Sequence, residues 1–295
     1  MQRIWLCVAV LYLGIAISPV RAEEAYFQSN GVRIRYLTVG RGAAVILLHG
    51  FAVRSSEDMW IKNGLNEPQV IRELARDYRV IAIDLRGHGK SGKPLGAQHY
   101  GIEMVDDVVR LMDHLQIKQA HVVGYSLGAA IVGKLLVTYP ERLLSATLGG
   151  GAPIYQPSRQ RVEALEEVAA SLSRGAGAGP LVGLISPATG PRPPREAMQA
   201  LGQLLVLGQD QKVLASVIRG IGDLEVSTEQ LQGNKVPVLL VYGNREGESL
   251  ERIEQVVQIL ARHEVQIIDG GDHMTTFARP EFRAAIVKFL KSQRK

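Results

Sequence analysis

A serine at the centre of Gly124-Tyr125-Ser126-Leu127-Gly128 carries the most chemistry in this 295-residue sequence. The apolar run His121-Val122-Val123 leads into it and Ala129-Ala130-Ile131-Val132 follows, so the segment reads as strand, hard turn and helix with Ser126 at the apex. Such a turn strains the backbone at the serine and needs glycine on either side, because a Cβ there would strike the adjoining strand or helix. The hydroxyl is thereby held out for attack. A serine hydroxyl is a weak nucleophile at neutral pH and needs a base within hydrogen-bond reach, a task suited to the pKa of histidine. The imidazole needs a carboxylate to fix its tautomer, and the oxyanion of a tetrahedral intermediate needs preorganised donors. The backbone N–H of Leu127, at the start of a helix, is one such donor.

The elements around this turn alternate. Segments 25–29 and 32–39 flank Asn30-Gly31, a dipeptide that tolerates positive φ and favours a tight type I′ hairpin. Apolar runs then alternate with helical patterns: 44–48 and 67–77, 80–83 and 102–115, 120–123 and 129–139. Runs apolar throughout suit parallel strands covered on both faces, which gives βαβ architecture around a mostly parallel sheet. After a further strand at 143–148, Gly149-Gly150-Gly151-Ala152-Pro153 breaks the rhythm. About 70 residues without a strand signal follow, helical at 159–172, 195–207 and 212–221, with Gly-rich 174–179 and Pro-rich 186–194 between them. The spacing predicts a helical cap over 153–222 inserted into a core formed by 23–152 and 223–295. The alternation resumes with a strand at 238–242, a helix at 250–262, a strand at 265–268 and a last helix from Pro280.

The first 22 residues read as an export signal: Arg3, then apolar 4–17, then Val20-Arg21-Ala22 as a small-residue cleavage site. The apolar stretch is shorter than the roughly 20 residues of a membrane span, and cleavage leaves Glu23 first with no stable span. A periplasmic or extracellular protein is expected. Cys7, the single cysteine, lies in that segment, so neither disulfides nor cysteine-based chemistry are expected of the mature chain. The formal net charge of +5 includes Arg3 and Arg21 and falls to +3 without them. The remaining basic residues are scattered apart from the tail from Lys288 to Lys295, which a solvated final helix explains better than nucleic acid does.

In open parallel sheets functional groups gather beyond the carboxyl ends of the strands. Those positions hold His49-Gly50-Phe51, Asp84-Leu85-Arg86-Gly87-His88-Gly89-Lys90-Ser91, the serine turn, Gly243-Asn244-Arg245-Glu246, and Asp269-Gly270-Gly271-Asp272-His273. With these five motifs in order, the chain resembles the α/β-hydrolase superfamily, specifically its serine hydrolases with a helical cap. The resemblance implies Ser126 as nucleophile, His273 as general base and then acid, and an acidic residue after the 238–242 strand as the group that orients the imidazole. It also implies the Phe51 backbone N–H as the second oxyanion donor. His49 and His88 sit in glycine-flanked turns that the family uses structurally, and the charges of 84–89 brace loops near the site.

The chain departs from the family at the acid. The usual pattern is Gly-x-x-Asp, and here the fourth residue is Glu246, whose extra methylene Gly247 is expected to accommodate. Glu248 and Asp223 compete for the role; Asp272 is adjacent to His273, which points the side chains apart, and Asp269 reads as a turn former. Phe51, Met59 and Trp60 are candidates for an acyl pocket, with core packing the alternative reading, and the long connection 52–66 for covering the site. The expected activity is hydrolysis of a carboxylic ester or related carbonyl of a small molecule with an apolar acyl part, through an acyl-enzyme, with no metal or cofactor. Carbon–carbon bond hydrolysis and perhydrolysis on the same residues stay open, as does a catalytically silent ligand-binding protein. Epoxide and haloalkane hydrolysis are disfavoured, because those relatives carry aspartate in place of Ser126.

Overall fold

Asn30 and Gly31 turn the chain with φ of 46° and 77°, the paired positive values of a type I′ hairpin, and join β1 (Glu23–Ser29) antiparallel to β2 (Val32–Val39). The computed structural model describes residues 22–61, 70–187, 193–247 and 249–294. The expected export segment, apart from Ala22, lies outside the described residues, as do Glu248, residues 62–66 of the long connection, residues 67–69 of the first expected helix and part of the Pro-rich stretch.

The chain continues through β3 (Ala44–Leu48), α1 (Ser56–Trp60), α2 (Val70–Leu74), β4 (Arg79–Ile83), α3 (Ile102–His114), β5 (Ala120–Tyr125), α4 (Leu127–Thr138) and β6 (Leu143–Gly149). Then come the short β7 (Ile154–Tyr155), four helices α5 (Arg159–Ser173), α6 (Gly179–Ile185), α7 (Arg195–Leu205) and α8 (Gln211–Gly220), and the short β8 (Glu225–Val226). Last are α9 (Thr228–Gln232), β9 (Val238–Gly243), α10 (Ser249–Ile259), β10 (His263–Ile268) and α11 (Pro280–Ser292). Eight strands form one sheet in the order β1-β2-β4-β3-β5-β6-β9-β10. Only β2 runs against its neighbours; every other pairing within the sheet is parallel. This is the α/β-hydrolase fold expected from the sequence.

The sheet is apolar on both faces because it is covered on both. On one face Ile46, Ile81 and Val122 pack with Val108 of α3, Ile131 of α4 and Ile253 of α10. On the other, Val45, Val80 and Val241 pack with Leu74 of α2 and Ile286 of α11. Met59 and Trp60 of α1 belong to this second cluster and are 5% and 2% exposed, so they build core and not an acyl pocket. The helices α5 to α8 carry a cluster of their own, including Val168, Leu172, Val206 and Leu214.

Two departures from the expected elements have local causes. α6 was not anticipated because Gly179, Pro180 and Gly183 lie within it, yet proline is tolerated in a first helical turn, where its missing N–H costs nothing. β7 and β8 pair in parallel at the two ends of the inserted helices, Ile154 opposite Glu225 and Tyr155 opposite Val226; two residues are too few to leave a pattern in sequence. Among the described residues no helix is long and apolar enough to cross a membrane.

Candidate active site

Ser126 sits between the end of β5 and the start of α4 with φ 55° and ψ −112°, a conformation an L-residue adopts only under constraint. The constraint is close packing. A Cβ on Gly124 would run into the carbonyl of Gly128, and one on Gly128 into the carbonyl of Leu48 at the end of β3. The Ser126 N–H is anchored to the Gly149 carbonyl at 2.9 Å. With the backbone so fixed, the side chain projects over the carboxyl edge of the sheet.

His273 follows β10 and Glu246 follows β9, and the three side chains meet. Ser126 Oγ lies 2.9 Å from His273 Nε2, and His273 Nδ1 lies 2.9 Å from Glu246 Oε2. With Glu246 ionised, the network assigns the imidazole proton to Nδ1, leaving Nε2 to accept from the serine. Glu246 is 1% exposed and His273 8%. The second carboxylate oxygen, Oε1, accepts from the Gly243 N–H at 3.4 Å. Gly247 is needed for a reason other than the one expected: a Cβ there would collide with the Ser186 carbonyl and lie 2.8 Å from that of Leu184, so the residue lets the Glu246 loop pass against the end of α6.

The competing acids lie elsewhere. Asp272 Oδ1 accepts from Met274 N, Thr275 N and Thr275 Oγ1. Asp269 Oδ1 accepts from Asn244 Nδ2 at 2.7 Å, and Asp223 lies in a 3-10 turn beside Gly101 at the start of α3. Glu248 lies outside the described residues.

A cavity of about 90 Å³ opens on Ser126 and His273. Phe51, Leu127 and Ala130 wall it from the core and Ile154, Leu165, Leu181 and Ile185 from the cap, and Arg161 and Arg252 line it as well. Leu127 opens α4, so its N–H has no intrahelical acceptor. The Gly50-Phe51 segment passes directly over the serine, an added Cβ on Gly50 lying 3.3 Å from Ser126 Cβ.

The segment after Phe51 is held from both sides. Ala52 has φ 56°; its N–H donates to His88 Nε2 at 3.3 Å, and its carbonyl accepts from Gln209 Nε2 at 2.7 Å. His88 and His49 are fully buried, and burial pushes both rings below their ordinary range, His88 to about 3. Neutral rings can accept as well as donate. His49 Nε2 accepts from Leu85 N at 3.1 Å while its Nδ1 lies 2.8 Å from the Gly50 carbonyl. The 84–91 loop is braced by Arg35 Nη1 donating to Asp84 at 3.2 Å and by Arg86, whose Nε and Nη2 grip Asp107 at 2.7 and 2.6 Å.

Sequence reasoning missed four contributors. Tyr125 donates its hydroxyl to the His273 carbonyl at 2.7 Å. Gln209 reaches Ala52 from the turn between α7 and α8, and Arg161 and Arg252 enter the cavity from α5 and α10. Only Tyr125 left a signal, a bulky polar residue inside the serine turn.

A family model described as the alpha/beta hydrolase fold matches residues 43–174. Over 128 residues, 43% of this chain, the sequence is 38% identical to the dihydrolipoyllysine-residue acetyltransferase component of the acetoin cleaving system of Cupriavidus necator. Over 135 residues, 46% of this chain, it is 33% identical to a 2-hydroxymuconate semialdehyde hydrolase of a Pseudomonas strain. The matched stretches span only 32% and 46% of those two proteins. Among solved structures, a thermophilic esterase from Thermogutta terrifontis, with malate bound, superposes with a TM-score of 0.75 at 23% identity, covering 93% of this chain and 100% of that one.

Proposed function

The chain belongs to the α/β-hydrolase superfamily, and from that premise we propose that it is an exported serine hydrolase cleaving a carboxylic ester or related carbonyl substrate of a small molecule through an acyl-enzyme. The observation that carries the reading is the continuous hydrogen-bonded line from Ser126 Oγ through His273 to Glu246, 2.9 Å at each step.

In this reading His273 Nε2 takes the hydroxyl proton as Ser126 Oγ attacks the substrate carbonyl, and the Glu246 carboxylate holds the ring and stabilises the imidazolium as it forms. The oxyanion is received by the N–H groups of Leu127 and Phe51, each contributing about 3 kcal/mol to lowering the barrier, as single donors of this kind do. His273 returns the proton to the leaving oxygen, so the alcohol departs and the acyl group stays on Ser126. Water then repeats the sequence, with His273 as base, and frees the acid.

A fluorophosphonate probe tests the nucleophile. Covalent labelling of the folded protein that disappears in Ser126→Ala supports the enzyme; absence of labelling in the folded wild type refutes it and favours a silent binding protein. Similarity to the semialdehyde hydrolase favours one second reading, carbon–carbon bond cleavage on the same side chains. Comparing nitrophenyl esters with a ring-cleavage diketone separates the two. Export rests on the first 22 residues of the sequence, and N-terminal sequencing of the mature protein tests it: Glu23 as first residue supports cleavage, retention of the whole segment excludes it.

A further inference from the structure

We propose that the ester taken by this site carries a long apolar chain whose far end lies in a second cavity, between α6, α7 and the loop of His273; the inference rests on the hydrolase reading above and names its substrate class. That cavity has a volume of about 440 Å³. Val182 and Ile185 of α6 line it, with Leu201, Leu204 and Leu205 of α7 and Met274 from the loop after β10. It adjoins the serine cavity. Ile185 lines both, and Asp272 and Met274, which line the second, are the chain neighbours of His273, which lines the first. The two spaces are thus within reach of one cap side chain and of one three-residue stretch of core backbone.

The serine cavity alone is small. Small-molecule sites generally occupy about 300–1,000 Å³; the space of about 90 Å³ on Ser126 and His273 falls below that range, and the second cavity falls within it. The first can hold the reacting carbonyl, and the rest of a larger substrate has to lie beside it. The lining of the second decides what that remainder is. Among the described residues that form it, only Ser186 and Asp272 have polar side chains. Ser186 Oγ donates to the Val182 carbonyl at 2.6 Å, and Asp272 Oδ1 accepts from Met274 N, Thr275 N and Thr275 Oγ1. The wall therefore offers apolar contact area and few directional partners, which suits an alkyl chain, whose binding grows with the area it removes from water.

The rim of this cavity is exposed. Leu201, Leu204 and Met274 are 48%, 62% and 52% exposed, and the two leucines stand three residues apart on α7, hence on one face of the helix. A single apolar residue in water calls for no explanation, but three around one cavity form a patch of the kind that marks a binding site. A chain leading from the serine past Ile185 and along α7 covers that patch. A partner that docks only on the outer surface gives no reason for the patch to adjoin the histidine that acts on Ser126, whereas a substrate chain does.

The test follows chain length. In 4-nitrophenyl acetate, butyrate, hexanoate and octanoate the chain grows on the acyl part; in ethyl, butyl, hexyl and octyl acetate it grows on the leaving group. The expected result is a kcat/KM that rises with length in at least one series, by up to about fourfold per methylene, the worth of one buried CH₂. The series that shows it tells which side of the ester carries the chain. Leu204→Glu sets a charge on the exposed rim without opening the core, and the ratio of kcat/KM for the longest over the shortest member should fall about tenfold or more, the worth of about two methylenes. Leu95→Glu, at a leucine 60% exposed that lines neither cavity, should keep the wild-type ratio. No rise with length in either series, or a rise that the two variants treat alike, overturns the proposal. Flat series together with sedimentation of wild type, but not of Leu204→Glu, with phosphatidylcholine vesicles overturn it in favour of a lipid-surface contact. Binding is read without turnover in Ser126→Ala: methyl octanoate or octyl acetate should raise its Tm, and neither should raise that of Ser126→Ala/Leu204→Glu. No Tm response to either ester counts against the second cavity whatever the activity. Absence of fluorophosphonate labelling in folded wild type marks failure of the hydrolase reading instead.

Discussion

The Tyr125 hydroxyl donates a hydrogen bond to the carbonyl of His273 across 2.7 Å and a sequence separation of 148 residues. Tyr125 precedes Ser126, so one side chain ties the serine turn to the loop bearing the histidine. Its ring is buried against Phe277 and Phe282. Burial, followed by the charge of Glu246, raises the phenol well above its ordinary pKa, so the group stays a donor throughout the neutral range. Tyr125→Phe keeps the ring and deletes the donor. Expected are a stability loss of about 1 kcal/mol, the net worth of one hydrogen bond, and a fall in kcat larger than any rise in KM, since the histidine loop loses its register with the serine. Steady-state kinetics and urea titration measure both; an unchanged kcat would reduce the bond to packing.

Glu246 is the member of the proposed triad that departs from the family pattern, and its role can be separated from its reach. Glu246→Gln preserves length but removes the charge that holds Nδ1 protonated; kcat should fall on the order of 10⁴-fold, as for loss of the equivalent acid in other triads. Glu246→Asp keeps the charge and retracts the carboxylate by one methylene. An ångström-scale misplacement is worth up to about 10²-fold, so this variant should lie between Gln and wild type. Equal activity in Gln and wild type would move the role to another acid.

These two residues also show what a sequence can carry. Ser126, Glu246 and His273 were legible because each lies in the loop after its strand, one, three and five residues beyond the end of β5, β9 and β10, and the glycines at 124 and 128 leave a pattern whose cause is local collision. Tyr125 and Gln209 were not: their partners lie 148 and 157 residues away, and no periodicity encodes a contact of that range. The cap was legible as an interruption of the strand rhythm. Its α6 was not, because Gly and Pro read as loop wherever tertiary packing, here against α7, decides the outcome. Met59 and Trp60 could equally have faced pocket or core, and only the direction of α1 against the sheet settles that.

Gln209 joins the cap to the segment that follows Phe51. Because Ala52 is held at positive φ between Gln209 and His88, the orientation of the Phe51 N–H depends on both anchors. Gln209→Glu keeps size and removes the donor that reaches the Ala52 carbonyl. Its kcat should fall several-fold, with Gln209→Ala behaving alike, and Tm should drop by the equivalent of about 1 kcal/mol. Rates for both variants at the wild-type level would show that the Phe51 segment, the proposed oxyanion donor, is held without the cap.

Three histidines away from Ser126 make the fold acid-sensitive. Burial, with His49 nearby, depresses His88 to about 3; burial, with Arg294 nearby, depresses His121 to about 4, and burial lowers His49 as well. In the unfolded chain each ring takes up its proton near the ordinary value of 6.5. Between 6.5 and these lowered values the unfolded state binds more protons than the folded one, so stability rises with pH there. The contribution is complete above 6.5 and is lost as pH falls toward 4 for His121 and toward 3 for His88, each ring supplying a slope of up to about 1.4 kcal/mol per pH unit. His121 is the cleanest probe, since it lies in β5 with its Nδ1 2.7 Å from Ser145 Oγ, between the sheet and Tyr78. His121→Gln should flatten the dependence of unfolding free energy on pH between 6.5 and 4 by one ring's share, whatever it does to stability at pH 8. An unchanged slope in urea titrations across that range would mean that the ring does not stay neutral in the folded protein.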